Sequence, residues 1–297
     1  MNVLKKEKFI ASFSATHSPA YTVELNETFC VETFDCYGGA ITSEKQLRKE
    51  VQIDHLNPAT GPIYINGLKE KETLCVEIIK IETEAFGVMV LYPGMGPLGK
   101  HVDVMDTRIL PVRDGKVIFR DDLQIEANPM IGVIGTAPKI GEVKCESPGD
   151  HGGNLDTKYI TAGSKVYLPV FHDGGLLALG DLHAAMGDGE LNGSGVEIGG
   201  RVTMKATSFQ QEISMPIVET DTAYMIVASD ETLDQAIEKG LETAVFTIQK
   251  QLSLSYNDAY RLLSAVCDLQ ISQIVNPLVT VRVSIPKSLL KQPLFTS

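Results

Sequence analysis

The sequence predicts a mainly β protein with an α+β C-terminal part: a β-sandwich or barrel carrying the site, followed by a strand-helix-helix-strand unit. Three observations predict it. Short segments of alternating apolar residues recur with Gly, Pro and Asn turns between them. No long stretch with helical spacing precedes residue 230. Beyond it the apolar period changes from two to between three and four. The 297 residues, 43% hydrophobic and 22% charged, suffice for one large domain or two modest ones with proper cores. A shift in character near residue 206 divides the chain into 1–205 and 206–297. No linker separates the two regions, so they are expected to pack closely.

Residues 8–34 read as strands. Tyr21, Val23 and Leu25 alternate, as do Phe29, Val31 and Thr33 after the turn at Asn26-Glu27. Asp35-Cys36-Tyr37-Gly38-Gly39 then ends a strand on a carboxylate and two glycines. Residues 43–50 suggest a short charged helical turn. Ile63 to Ile65 and Leu74 to Ile81 are strands joined through Asn66-Gly67. Val88 to Tyr92 follows, and then Pro93–Gly99, a glycine- and proline-rich segment suited to closing over a pocket. Between Ile109 and Val143 lie three short strands, and Lys165 to Phe171 forms another.

In the C-terminal region Ala223 to Ala228 is an apolar strand, after which Ser229 or Asp230 caps a helix. Leu233, Ile237, Leu241, Val245, Ile248 and Leu252 give Glu231–Leu252 its apolar face. Ser255 with Asp258 reads as a capping box opening a second helix that runs to about Asp268. Val279, Val281, Val283 and Ile285 alternate with polar residues in a closing strand.

Charge and cysteines exclude some classes. A formal net charge of −12 argues against a nucleic-acid partner and against an anionic membrane, and it is compatible with a small neutral ligand. No apolar run approaches the roughly 20 residues of a membrane helix. The basic N-terminus, MNVLKKEKFIASF, lacks the apolar core of a signal peptide. The five cysteines include no C-x-x-C pair, so free thiols in a reducing cytoplasm are expected.

The chemistry concentrates in Leu176 to Gly200, LLALGDLHAAMGDGELNGSGVEIGG. An apolar strand ends there by presenting Asp181 and His183, two residues apart and so on one face. Asp188, Glu190 and Glu197 follow among glycines. A second polar glycine-rich segment, SPGDHGGNLD, spans 147–156. All six histidines lie at or before residue 183. A carboxylate and an imidazole so placed can share a divalent metal, zinc being favoured by a mixed His/Asp donor set. Asp181, His183, Asp35 and His17 are the expected ligands, with Asp156 a further candidate. Glu190 is the expected proton-transfer group, and Asp188 competes with it for that role. His151 and Asn154 are candidate catalytic groups on an amide-recognition loop. Gly152, Gly153, Met186 and Gly187 are candidate walls of a small substrate pocket. His55, His101 and His172 suit the surface or plain packing.

Other nucleophiles have less behind them. Cys36 and Cys145 lack a surrounding nucleophile motif. Gly193-Ser194-Gly195 is not a G-x-S-x-G elbow. Asp188-Gly189-Glu190-Leu191-Asn192 also suits a tight turn or a calcium loop, although it lacks EF-hand spacing.

Several of these segments together resemble the acetamidase/formamidase family of amide hydrolases. The resemblance rests on residues 176–200 and 147–156, with Asn57–Ile63, Asn128–Gly132, Gly135–Pro138 and Ile271–Pro277, in the family's order and over most of the chain. It implies a small linear amide such as formamide or acetamide as substrate, hydrolysed to a carboxylate and ammonia. It also implies a β-sandwich with a smaller α+β part, and a homo-oligomer. The rival is a non-enzymatic β-sandwich binding a small ligand or a carbohydrate, with a structural calcium. Against it, the chain has no Trp and only 6% aromatic residues with which to stack sugars.

Overall fold

Two large sheets face each other across one apolar core in the computed structural model, which describes residues 2–296. The first has nine strands in the order Asn2–Leu4, Thr28–Thr33, Gly200–Phe209, Thr73–Thr83, Lys165–Pro169, Ile217–Glu219, Ala223–Asp230, Val279–Pro286 and Asp268–Gln273. The second runs Leu123–Glu126, Lys116–Arg120, Asp106–Arg113, Phe86–Leu91, Glu197–Ile198, Leu177–His183, Met130–Gly135, Gly152–Asn154 and Pro148–Gly149. Ala59–Asn66 joins it by pairing with Leu177–His183.

Alternation places the core. Val202, Met204 and Ala206 of Gly200–Phe209 are buried beside Val76, Ile78 and Val31 of the flanking strands. They meet Ile63, Ile131, Ile134, Leu177, Leu179 and Leu182 of the other sheet. Every residue of Leu177–His183 is buried. A strand covered on both faces ordinarily reads as a continuous apolar run; here Asp181 and His183 interrupt it.

The mainly β architecture with two helices near the C-terminus is as expected. Gly200–Phe209 runs through residue 205, and the C-terminal strands extend the nine-stranded sheet of the N-terminal region. Thus the two regions share one sheet, and a second core lies where helix α1 (Leu233–Leu252) covers its far end.

Four local details differ from the sequence reading. Thr232 caps α1, its hydroxyl accepting from the Gln235 N–H, because Ser229 and Asp230 are still in the strand. The buried face of α1 is its stripe of small residues, Ala236, Gly240 and Ala244, with Val245 and Ile248. A Cβ at Gly240 would come 3.1 Å from Val283, so the glycine permits this close approach to the sheet. Helix α2 (Tyr256–Val266) is capped by Ser255 as expected but stops before 268, where the strand Asp268–Gln273 begins. Residues 43–50 form turns without a helix.

Candidate active site

Asp181 and His183 stand in the middle of the second sheet. Leu177–His183 pairs with Met130–Gly135 through Gly180↔Val133 and Leu182↔Ile131, which places Asp181 opposite Gly132. Asp181 takes a positive φ of 55° to fit there. A Cβ at Gly132 would lie 2.6 Å from Asp156 Oδ1 and 2.8 Å from Asp181 Oδ2, so only a hydrogen atom leaves room for both carboxylates.

His183 pairs across the ladder with Glu197, and its Nε2 is 3.0 Å from Glu197 Oε2. The same nitrogen is 3.8 Å from Glu190 Oε1 and 4.0 Å from Asp181 Oδ1, while Nδ1 is 4.0 Å from Asp156 Oδ1. Two groups of donor atoms lie within 4.8 Å of one another: Asp156, His183 and Glu190, and beside them Cys36, Asp181 and Glu197.

Three carboxamides brace the carboxylates. Asn57 Nδ2 donates to Asp181 Oδ2 at 2.9 Å, and Asn276 Nδ2 donates to Asp156 Oδ2 at 2.6 Å. The Asn154 amide nitrogen, in the orientation that satisfies its neighbours, donates to both Oδ2 atoms at 3.1 Å. Hence the outer oxygens are held, while Asp156 Oδ1, Asp181 Oδ1 and His183 Nδ1 are buried without a hydrogen-bond partner. Such orphaned atoms are costly unless something else occupies the space between them. Asn57, Asp156, Asp181 and Glu190 all have positive φ, a conformation that costs energy in non-glycine residues and clusters at functional sites.

Burial drives the electrostatics. Desolvation and the surrounding carboxylates push the Asp181 and Glu190 carboxyls well above the usual carboxylate range, and desolvation also raises Asp156. Burial opposes a charge on His183 most strongly, but the Glu197, Asp181 and Asp156 carboxylates together outweigh it and hold the imidazole pKa well above its ordinary value. Glu197 goes the other way: burial resists its charge, yet His183 keeps it ionised. Four carboxylates around one imidazole cannot all ionise unaided. A divalent cation would relieve that repulsion, and the carboxylate and imidazole donors suit one.

Asp181, His183 and Glu190 come together, and Asp156 joins them. His17 and Asp35 belong to neither group of donor atoms. His17 Nε2 is held by Ser12, 2.9 Å from its carbonyl oxygen. Asp35 Oδ1 accepts from the N–H groups of Tyr37 and Gly39 at 2.9 and 2.8 Å, a turn-forming use of its carboxylate. Burial pushes its pKa up to about 6. Asp188 turns to the chain's own cations, 2.6 Å from Arg282 Nη2 and 3.0 Å from Lys158 Nζ.

Asn154 faces carboxylates. Gly152 and Gly153 are buried in a strand, where a Cβ on either would strike neighbouring backbone. Met186 is half-buried and Gly187 is exposed, with open space where its Cβ would be. The Pro93–Gly99 segment packs Met95 against Gly193 and Gly96 against Leu191, beside the Glu190 turn. Ser194 Oγ donates to Gly195 O and Glu197 Oε1. Burial raises the pKa of both the Cys36 and Cys145 thiols, which disfavours a thiolate nucleophile.

His151 lies outside these groups, packed edge-on against Phe13 with its ring centroid 5.0 Å away and its Nε2 unpartnered. Burial lowers its pKa from 6.5 to about 4. The folded state therefore keeps the ring neutral, while the unfolded chain begins to take up the proton near pH 6.5. Its contribution to stability is present above that pH and is lost as pH falls towards 4. Denaturant melts at a series of pH values should show His151→Phe losing less stability than the parent between pH 6.5 and 4, by an amount on the order of 3 kcal/mol. Parallel pH profiles for the two proteins would refute it.

The sequence reading gave Glu197, Cys36, Asn57 and Asn276 no role at the site. Glu197 was visible in the acidic stretch. The asparagines were visible only as Asn-Pro pairs, whose side chains meet the carboxylates through long-range folding.

A family model described as the Acetamidase/Formamidase family matches residues 15–146 and 140–292. The crystal structure of an acetamidase from Bacillus halodurans superposes with a TM-score of 0.94 at 42% identity, covering 96% of this chain and 97% of that one. A predicted acetamidase/formamidase from Thermoanaerobacter tengcongensis gives 0.94 at 41% identity, over 97% and 96%. A formamidase of Methylophilus methylotrophus is 49% identical over 59 residues, 20% of this chain and 14% of its own length. The chain spans less than two thirds of the length of the curated relatives it matches, 62% for a Schizosaccharomyces pombe protein. With both halves of the chain matched by the family model, and the fold reproduced along almost its whole length, this protein belongs to the acetamidase/formamidase family.

Proposed function

We propose that this chain hydrolyses a small linear amide of the formamide or acetamide type to a carboxylate and ammonia, at the buried cluster of Asp156, Asp181, His183 and Glu190. The observation that carries the reading is that Asp156 Oδ1, 4.0 Å from His183 Nδ1, and Asp181 Oδ1, 4.0 Å from His183 Nε2, are buried without a hydrogen-bond partner, as is His183 Nδ1 itself. Asp156, Asp181 and His183 would hold a divalent cation, and the imidazole favours zinc over calcium. Such an ion polarises an amide carbonyl and makes water acidic enough to attack near neutral pH.

The chain's own groups do the rest. Glu197 holds the His183 Nε2 side, leaving Nδ1 directed towards Asp156. Asn57, Asn154 and Asn276 fix the two aspartates by their Oδ2 atoms. The Glu190 carboxyl lies beside Asp156 and His183, and burial raises its proton affinity. In its ionised form it takes the proton released as water attacks the amide carbon and delivers it to the departing nitrogen, which would otherwise leave as an unstable amide anion. The substrate is neutral, as suits a pocket already crowded with carboxylates. Gly187 and Met186 mark the solvent side of the Glu190 turn.

No helix among the described residues is long and apolar enough to cross a membrane. Its free cysteines, four of them buried, support a reducing cytoplasmic setting, and the family resemblance supports a homo-oligomer.

The test is ammonia release from formamide, acetamide, propionamide and hexanamide. A small pocket discriminates by about 1–3 kcal/mol per methylene, so kcat/KM should decline stepwise with acyl length. Equal efficiency on hexanamide and acetamide would contradict a small pocket, and no turnover of any amide by metal-loaded protein would contradict the activity.

A further inference from the structure

Arg282 is the bulkiest fully buried side chain among the described residues, and it lies outside the donor groups above. It sits in the strand Val279–Pro286 of the C-terminal region. Its Nη2 meets Asp188 Oδ2 at 2.6 Å, Nη1 donates to Ile271 O at 2.8 Å and Ser272 Oγ at 3.2 Å, and Nε donates to Gln270 Oε1 at 3.0 Å. The guanidinium lies 4.9 Å from the centre of the Tyr159 ring. Burying a guanidinium is costly unless it is paired and fully hydrogen-bonded. Simple packing here could have used an apolar side chain, so the contacts it makes identify its use.

Those contacts converge on the site from two sides. Asp188 lies within the tight turn from Gly187 to Glu190, closed by the Glu190 N–H to Gly187 O at 3.2 Å. The next residue, Gly189, is stitched to the neighbouring C-terminal strand Asp268–Gln273: its N–H donates to Ser272 O at 2.8 Å, and its carbonyl accepts from the Ile274 N–H just beyond it. Ser272 Oγ also accepts from Thr157 Oγ1 at 2.9 Å, and Thr157 follows Asp156 directly. One side chain thus links the residue two before Glu190 to the residue after Asp156.

We propose that Arg282 is a positioning residue, a strut from the C-terminal strand that sets Glu190 against Asp156 and His183 by holding Asp188 and the Ser272–Thr157 pair. The inference rests on the reading of Glu190 as the proton carrier. It also assigns Asp188 a mechanical role: accepting the Arg282 N–H is its task, for which an oxygen suffices and a proton affinity does not matter.

The experiment measures kcat and KM on acetamide, per folded molecule by circular dichroism, for Arg282→Gln, Asp188→Ala, Asp188→Asn, the Arg282→Gln/Asp188→Ala double variant and Glu190→Gln. A misplacement of about 1 Å can cost up to about 100-fold. Arg282→Gln and Asp188→Ala should each lower kcat by about 10–100-fold with KM within about twofold, and the double variant should be no worse than the weaker single. Asp188→Asn, which keeps an oxygen for Nη2, should regain about tenfold of the Asp188→Ala loss.

Asp188→Ala is the informative variant if Arg282→Gln fails to fold. Parent-like kcat in folded Asp188→Ala, with Glu190→Gln inactive, would overturn the strut and leave the Glu190 reading standing. Asp188→Asn as inactive as Asp188→Ala would show Asp188 reacting itself, and would also overturn the strut. Full activity in Glu190→Gln would instead overturn the proton-carrier reading on which the strut rests.

Discussion

Glu190→Gln is expected to lower kcat on acetamide by roughly 10²–10⁴-fold while the bound metal stays in place. Position and proton affinity both assign Glu190 this role. Glu190 has a positive φ of 47°, a conformation that glutamate adopts at a cost, and its carboxyl is 7% exposed. Its Oε1 lies 3.8 Å from His183 Nε2, and its carboxyl stands within 4.8 Å of Asp156. Desolvation and the Asp156 charge raise its pKa well above the ordinary carboxylate value, which brings it towards the range where a group can both accept and return a proton. Gln keeps the size and one acceptor but cannot carry that proton. Kinetics and elemental analysis of the same preparation decide the matter: normal kcat in a metal-loaded variant would remove Glu190 from the mechanism, and loss of metal together with activity would make it a ligand.

His183→Ala should have the larger effect on the metal. The imidazole is the one nitrogen donor among the carboxylates, and its Nδ1 has no partner in the fold. Removing it also strips the counter-charge from Glu197, which His183 keeps ionised. Breaking even a second-layer contact at a metal site typically costs about 10–100-fold in affinity or activity, and a direct ligand should cost more than 100-fold. The orphaned Glu197 carboxylate should also destabilise the fold, by about 1–3 kcal/mol or more. Asp156→Asn provides the check, since it keeps His183–Glu197 intact while weakening the ligand set. Full metal occupancy and near-normal turnover in both variants would mean that the cation, if any, binds elsewhere.

Much of the fold was legible because its periods are local. Val279 to Ile285 alternates cleanly, and Ser255 with Asp258 caps α2 as a capping box should. Gly200–Phe209 alternates as well, with Val202, Met204 and Ala206 inward, but its outward Arg, Thr and Lys residues disguised it. The face of α1 was misjudged because burial follows Ala236, Gly240 and Ala244, which close approach requires, and large apolar residues such as Leu233 stay partly exposed.

At the site, Asp181 and His183 could be paired from a spacing of two. Asp35 and His17 looked equivalent at strand ends, yet Asp35 Oδ1 is taken by the Tyr37 and Gly39 N–H groups and His17 Nε2 by Ser12. Nothing local in the sequence joins Asp156 to Asn276 or Asp188 to Arg282. Those contacts depend on the C-terminal strands completing the sheet beside the glycine-rich turns.

The most direct measurement removes and restores the metal. Purified protein would be dialysed against a chelator until elemental analysis shows it metal-free, with its fold checked by circular dichroism. Ammonia release from formamide and acetamide would then be followed as zinc is titrated back. The account predicts that the folded, metal-free protein releases ammonia at less than about a hundredth of the loaded rate, and that activity returns in proportion to bound zinc. Undiminished amide hydrolysis by the metal-free protein would contradict it.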